Sequence, residues 1–167
     1  MEIKIVKGSV VEANADAILN AANKNLYPGG GVCGAIFNAA GYNELLNECL
    51  SIGGCPTGKA VITKGYKLNA KYIIHAVGPI YSGSPSDKEM LKSTYKSILE
   101  LAEEYKLETI ALVPVSVGIY GYPLLDAANI IVDVLLNHMP KSIKTCYIYC
   151  YLDKEYEVFQ NVYNLKK

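Results

Sequence analysis

The sequence contains no arginine: all sixteen of its basic residues are lysines, and sixteen acidic residues balance them. A nucleic-acid-binding domain normally shows a basic excess and uses arginine to contact bases and phosphates. This composition therefore argues against nucleic acid as a partner. Without a guanidinium group, a bound phosphate would have to be held mainly by backbone N–H groups.

The sequence also has few charges and no long hydrophobic run. Charged residues make up 19% and hydrophobic residues 51%, which excludes a disordered chain. Pro, Gly or Ser interrupts each apolar stretch well short of the roughly 20 residues that a membrane span needs. The length of 167 residues predicts one domain, residues 1–167, that needs no metal or disulfide to fold.

The cysteines are odd in number and form no C-x-x-C pair; they are Cys33, Cys49, Cys55, Cys146 and Cys150. The amino-terminal residues lack the apolar segment of a signal peptide, so we expect reduced thiols in a cytoplasmic protein. A zinc site built from the last four is disfavoured because their spacing matches no common zinc finger. The small size, the lack of Arg and the abundant Lys and Tyr are typical of a low-GC bacterium.

Apolar patterns predict strands that alternate with helices. The predicted strands are 3–6, 17–20, 60–63, 72–77, 109–113 and 145–152. The predicted helices are 32–50, 124–138 and 155–165, together with one that Ser86 or Asp87 would cap and that ends at about residue 105. Gly41 interrupts the pattern of residues 32–50, which therefore form either one helix or two short ones. The alternation predicts an α/β fold with helices on both faces of a mostly parallel sheet.

Two small-residue loops join predicted strands to predicted helices, residues 20–34 and 114–123. In such folds ligands bind beyond the carboxyl ends of the strands. Three successive glycines, Gly29, Gly30 and Gly31, would let the backbone approach a ligand and point N–H groups at an anion. Two such loops on neighbouring strands would clamp a diphosphate.

The glycine loop also has simpler interpretations. It matches G-x-G-x-x-G, but the preceding strand ends nine residues too early and no acid follows at a strand end, which disfavours an NAD-type site. The pattern of a Walker phosphate loop is absent. A flexible turn, or a generic nucleotide-sensing α/β domain, remains as an alternative.

Several motifs together resemble the macrodomain family, in the family's order and over almost the whole chain. They are Val6–Val10, the N-A-A-N of residues 20–23, the G-G-G-V of residues 29–32, A-A-G at 39–41, C-P-T-G-K-A at 55–60, H-A-V-G-P at 75–79 and residues 116–123. The closest branch is the MacroD type, which is also linked with O-acetyl-ADP-ribose deacetylation.

The resemblance implies a three-layer α/β/α fold with a mixed, mostly parallel sheet and ADP-ribose as ligand, with no cofactor. It places Gly8, Ser9 and Val10 at the adenine and Tyr151 in the place of the adenine-stacking aromatic. Asn23 would face the distal ribose. The ligand would be wrapped on one side by Gly29, Gly30, Gly31 and Val32, and on the other by Ser116, Val117, Gly118, Ile119 and Tyr120.

Three departures from the family pattern bear on chemistry. Ser9 stands where an Asp usually accepts a hydrogen bond from the adenine amino group. Cys33 stands where MacroD-type enzymes carry a catalytic Asp, and Phe37 where they usually carry a His. Neither ligand loop supplies a carboxylate or an imidazole as a general base.

Three hypotheses follow. The protein is a slow hydrolase that removes mono-ADP-ribose from acyl-linked substrates or deacetylates O-acetyl-ADP-ribose, with Asn23 orienting the ribose. Alternatively, it is a reader of ADP-ribose that does no chemistry. In the third hypothesis Cys33, near a helix N-terminus, is easily deprotonated and acts as base or nucleophile.

The expected partner is ADP-ribose or an ADP-ribosylated protein, with nucleic acid only as an ADP-ribosylated end and no membrane. A monomer is expected. His75 lies in a strand pattern, where we expect a buried ring bonded to neighbouring backbone rather than a catalytic group.

Overall fold

The computed structural model describes residues 2–167, so Met1 lies outside it. The strands are β1 Glu2–Lys7, β2 Ala17–Ala21, β3 Ala60–Lys64, β4 Tyr72–Ala76, β5 Thr109–Leu112 and β6 Thr145–Cys150. The helices are α1 Gly31–Ala40, α2 Tyr42–Ile52, α3 Ser86–Glu104, α4 Leu124–His138 and α5 Asp153–Lys166. A 3₁₀ turn covers Val10–Glu12. Every predicted strand and helix is present to within a few residues.

The six strands form one sheet in the order β1-β6-β5-β2-β4-β3. All neighbours are parallel except β3, which runs antiparallel to β4. Helices α1 and α2 contact each other, and α4 contacts both α3 and α5, so the sheet lies between two helical layers. This confirms the three-layer α/β/α fold with a mixed, mostly parallel sheet.

The central strands are nearly continuous apolar runs because helices cover both faces of the sheet. Ile18, Leu19, Ile73, Ile110 and Ile148 are all buried in this core. Along residues 2–167, no helix combines the length and the hydropathy that crossing a bilayer requires.

Two local details were open or wrong in the sequence-based prediction. Gly41 has φ 116°, outside the helical region, and therefore separates α1 from α2. Helix α3 is not capped by Ser86 or Asp87: its N-cap is Pro85, which has no capping side chain. The Asp87 carboxylate instead accepts the backbone N–H groups of Ser82 and Gly83 and so organises the loop before the helix.

Candidate functional site

A cleft of about 500 Å³ lies at the carboxyl ends of β2, β5 and β6, three adjacent strands. The residues that line it come from the two small-residue loops and the first turn of α5. They are Ala21, Ala22, Asn23, Gly29, Gly30, Gly31, Val32, Cys33, residues 114–120 and Glu155. Because β2 and β5 are neighbours, the two loops lie on opposite walls of one cleft.

The first wall is held in shape by Asn23. Its side-chain Nδ2 donates to the Tyr27 carbonyl oxygen at 2.9 Å, and its Oδ1 accepts the Tyr27 N–H at 3.0 Å. The Asn23 carbonyl oxygen also accepts the Leu26 N–H. These bonds fix the turn that leads into the glycine run. Asn23 therefore has a structural task in addition to any contact with a ligand.

The same wall ends at the N-terminus of α1. The first helical backbone bond runs from the Gly34 N–H to the Gly30 carbonyl oxygen, so the N–H groups of Gly31, Val32 and Cys33 have no helical partner. Gly34 packs directly against the glycine run: an added Cβ would lie 2.6 Å from the Gly29 carbonyl oxygen. The free N–H groups and the helix dipole favour an anion here.

The second wall is a tight loop after β5. Ser116 has φ 73°, an unfavourable conformation for a non-glycine residue, and its carbonyl oxygen accepts the Tyr122 N–H at 2.9 Å. Within residues 2–167, the buried Ser116 Oγ has no hydrogen-bond partner. Ile119 at the tip is fully exposed. A backbone hydrogen bond thus closes the base of the loop, and its apolar tip is exposed to solvent at the mouth of the cleft.

The base of this second loop is fastened from behind by Tyr95, on α3. The buried hydroxyl donates to the Val113 carbonyl oxygen at 2.6 Å and accepts the Val115 N–H at 2.9 Å. Nothing in the sequence distinguishes Tyr95, because a tyrosine in a helical apolar stripe looks like an ordinary core residue.

A buried chain of polar side chains runs across the sheet from β3 to the cleft. Asn20 Nδ2 lies 3.0 Å from His75 Nδ1, and His75 Nε2 lies 2.9 Å from Thr63 Oγ1. Thr63 donates its single proton to the Lys64 carbonyl oxygen. Thr63 therefore accepts from His75 Nε2–H, and His75 Nδ1 accepts from Asn20. His75 is buried as expected, but its partners are side chains and not neighbouring backbone.

Cys33 is the cleft end of this chain. Its Sγ lies 3.6 Å from Asn20 Nδ2, which donates to it, and 3.8 Å from the Tyr27 carbonyl oxygen, to which the thiol donates. The thiol is buried and uses its proton in this second bond. In this arrangement Cys33 fills space beside the glycine run as a hydrogen-bonded thiol.

Phe37, one helical turn further along α1, does not line the cleft. Its ring is buried and packs edge-on against Tyr42, with ring centroids 6.0 Å apart. The ring therefore belongs to the contact between α1 and α2. At the α1 end of the cleft, no residue described by the structure contributes an imidazole or a carboxylate.

The residues that the family resemblance places at the adenine lie at the ends of β1 and β6, next to the cleft. Gly8 follows β1 and donates its N–H to the Cys150 carbonyl oxygen, which brings residues 8–10 beside the end of β6. Tyr151 follows β6 and is 66% exposed, and Val10 is buried. Neither these residues nor Ser9 lines the cleft itself. These residues lie along the same edge of the sheet as the cleft, beyond its β6 end.

Glu155 is a lining residue that sequence reasoning missed. It begins the predicted helix 155–165, and the one sign that it lies near the strand ends is its position directly after the last predicted strand. Its Oε1 accepts the Leu152 N–H at 3.3 Å, which caps the start of α5.

The pH dependence of stability should reflect the buried imidazole. Burial lowers the pKa of His75 from 6.5 to about 4, so the folded ring stays neutral while the unfolded chain takes up a proton. Stability is therefore complete above pH 6.5 and falls as the pH drops toward 4. We expect a loss of about 2 kcal/mol between about pH 7.5 and about pH 5, by urea denaturation. His75→Gln should lack this component; an equal pH dependence in that variant would contradict the assignment.

Comparison with known proteins agrees with this architecture. The family model for the macro domain matches residues 19–131, about two thirds of the chain. The chain belongs to the macro domain family. A macro domain-containing protein of Methanosarcina mazei is 49% identical over 152 residues, which cover 89% of this chain and 81% of that protein.

Two further members of the family are informative. The protein named ADP-ribose glycohydrolase MACROD2 from Xenopus laevis is 42% identical over 168 residues, which cover 98% of this chain and 40% of the relative. The crystal structure of a Trypanosoma brucei macrodomain in complex with ADP-ribose has a TM-score of 0.88 at 39% identity. That match covers 96% of this chain and 68% of the other.

Proposed function

We propose that this protein binds ADP-ribose in the cleft between the loops that follow β2 and β5. The observation that carries the proposal is the pairing of two small-residue loops around one cavity of about 500 Å³. No basic side chain in the described part of the chain lines this cavity, so a diphosphate would be held by backbone N–H groups. Related macrodomain structures contain ADP and ADP-ribose, which supports this ligand class.

The order of the strands suggests how the ligand lies. The diphosphate would occupy the space between the first turn of α1 and the loop 116–120. The distal ribose would lie at the β2 end beside Asn23. The adenine would lie toward residues 8–10 and Tyr151, at the ends of β1 and β6.

We propose slow hydrolysis as the chemistry: release of mono-ADP-ribose from acyl-linked substrates, or deacetylation of O-acetyl-ADP-ribose. Asn23 orients the distal ribose, and the substrate's own phosphate positions the attacking water. The reaction is slow because the β2 end of the cleft offers a thiol, Cys33, and no general base. The MACROD2 relative, named as a glycohydrolase, supports this class of reaction.

A reader of ADP-ribose that does no chemistry is the second candidate. Two substitutions favour it. Cys33 is a hydrogen-bonded thiol where the family pattern has Asp, and Phe37 is a buried ring where the family pattern has His. A direct chemical role for Cys33 requires its thiolate, whereas in the structure the thiol donates its proton to the Tyr27 carbonyl oxygen.

The deciding experiment measures free ADP-ribose released from a protein that carries mono-ADP-ribose on an acidic residue. We expect slow release by the wild type and a loss of at least about tenfold in Asn23→Ala, because the variant loses both the contact that orients the ribose and the two hydrogen bonds that fix the turn at Tyr27. Asn38→Ala, an exposed position on α1, serves as the matched control and should retain activity.

Binding of ADP-ribose, measured by calorimetry on the same samples, separates the candidates. Tight binding without release, at high enzyme concentration, would establish the reader and exclude the hydrolase. Release by Cys33→Ala at the wild-type rate would exclude a chemical role for that thiol.

A further inference from the structure

Glu155 brings a charge into the cleft that the two loops do not supply. Among the lining residues of the described chain, it alone carries an acidic or basic side chain. Among residues 2–167, its side chain accepts one hydrogen bond, from the Leu152 N–H to Oε1. A carboxylate can accept about four hydrogen bonds, so most of the capacity of this group is available to a ligand.

The sheet topology places this carboxylate at one end of the cleft. Helix α5 follows β6, whereas Asn23 and Cys33 follow β2, and β5 lies between the two strands. Neighbouring strands are about 4.8 Å apart, so the β6 and β2 ends are separated by about 10 Å. Glu155 is therefore on the far side of the β5 loop from the distal-ribose end.

The order of the chemical groups in the ligand then identifies the group that Glu155 would contact. This step rests on the proposed function. In ADP-ribose the groups follow the order adenine, ribose, diphosphate, ribose. With the diphosphate at the β5 loop and the adenine toward residues 8–10 and Tyr151, the group between them that reaches Glu155 is the ribose of the adenosine half. That ribose presents two adjacent hydroxyl groups.

We propose that Glu155 is a specificity-determining residue that accepts hydrogen bonds from the 2′,3′-diol of this ribose and excludes ligands phosphorylated there. Hydrogen bonds from hydroxyl groups to a carboxylate are short and strong. A 2′-phosphate in the same place would bring like charges together, and no cation lining the described cleft compensates them. Acidic side chains distinguish the two forms of nicotinamide dinucleotides in other folds by the same chemistry.

The test compares the affinities of ADP-ribose and of its 2′-phosphorylated form, by calorimetry at low salt. We expect the wild type to prefer ADP-ribose by about tenfold or more. Glu155→Gln should reduce this preference to about threefold or less, by tighter binding of the phosphorylated ligand and weaker binding of ADP-ribose. Gln can still accept the Leu152 N–H, so the start of α5 is retained. Glu157→Gln, an exposed position on the same helix, should keep the wild-type ratio.

Each outcome has a distinct meaning. Equal affinity of the wild type for both ligands would overturn the role of Glu155 and leave the ADP-ribose site intact. An unchanged ratio in Glu155→Gln would overturn it as well. Failure of the wild type to bind ADP-ribose at all would overturn the proposed function and this inference together. A ratio that falls in Glu155→Gln and stays high in Glu157→Gln supports the proposal.

Discussion

Replacement of Cys33 by aspartate is expected to raise the release of ADP-ribose from an acyl-linked substrate by about a hundredfold, the scale of general base catalysis. Two features around Cys33 suit a carboxylate, although the Tyr27 carbonyl oxygen, which lies 3.8 Å from Sγ, does not. Asn20 Nδ2 points a donor at this position, and its orientation is held by His75 and Thr63. The N-terminus of α1 favours a negative charge in the same place.

Cys33→Asn is the matched control, because it has the shape of aspartate without a base. Single-turnover release should rise in Cys33→Asp and stay at the wild-type level in Cys33→Asn. Calorimetry with ADP-ribose verifies that both variants keep the cleft. Equal rates in the two variants would show that the missing base does not limit this protein.

Replacement of Tyr95 by phenylalanine is expected to destabilise the protein by about 3 kcal/mol. The change removes one oxygen and leaves two buried backbone groups without a partner, the Val113 carbonyl and the Val115 N–H. Each orphaned group costs about 1–3 kcal/mol. Because Val115 lines the second wall of the cleft and Val113 leads into it, the affinity for ADP-ribose should fall with the stability.

Urea denaturation of Tyr95→Phe and Tyr105→Phe measures this effect. Tyr105 follows α3 and is 41% exposed, so loss of its hydroxyl should change the free energy of unfolding by less than about 0.5 kcal/mol. A loss in Tyr95→Phe as small as in the control would show that the loop does not depend on this hydroxyl.

Local sequence patterns determined most of the secondary structure. The apolar run at 109–113 predicted the central strand β5, and the spacing at 124–138 predicted α4 with its bounds. Such patterns succeed because burial on one or both faces of an element imposes a period on its own residues. The glycine run and the loop after β5 were recognisable for a similar reason, since tight turns at strand ends restrict the residue types that fit.

Only the tertiary structure decided which distant side chains meet. Asn20, His75 and Thr63 lie on three strands that become neighbours through the sheet order, and nothing in their separate patterns predicts one directed chain of hydrogen bonds. Glu155 enters the cleft because β6 lies beside β5, although it is distant in sequence from both loops. Contacts of this kind depend on strand order and helix placement, which local periodicity does not encode. The sequence by itself therefore determined the elements and the two loops, and the packing of those elements decided the walls and the charge of the cleft.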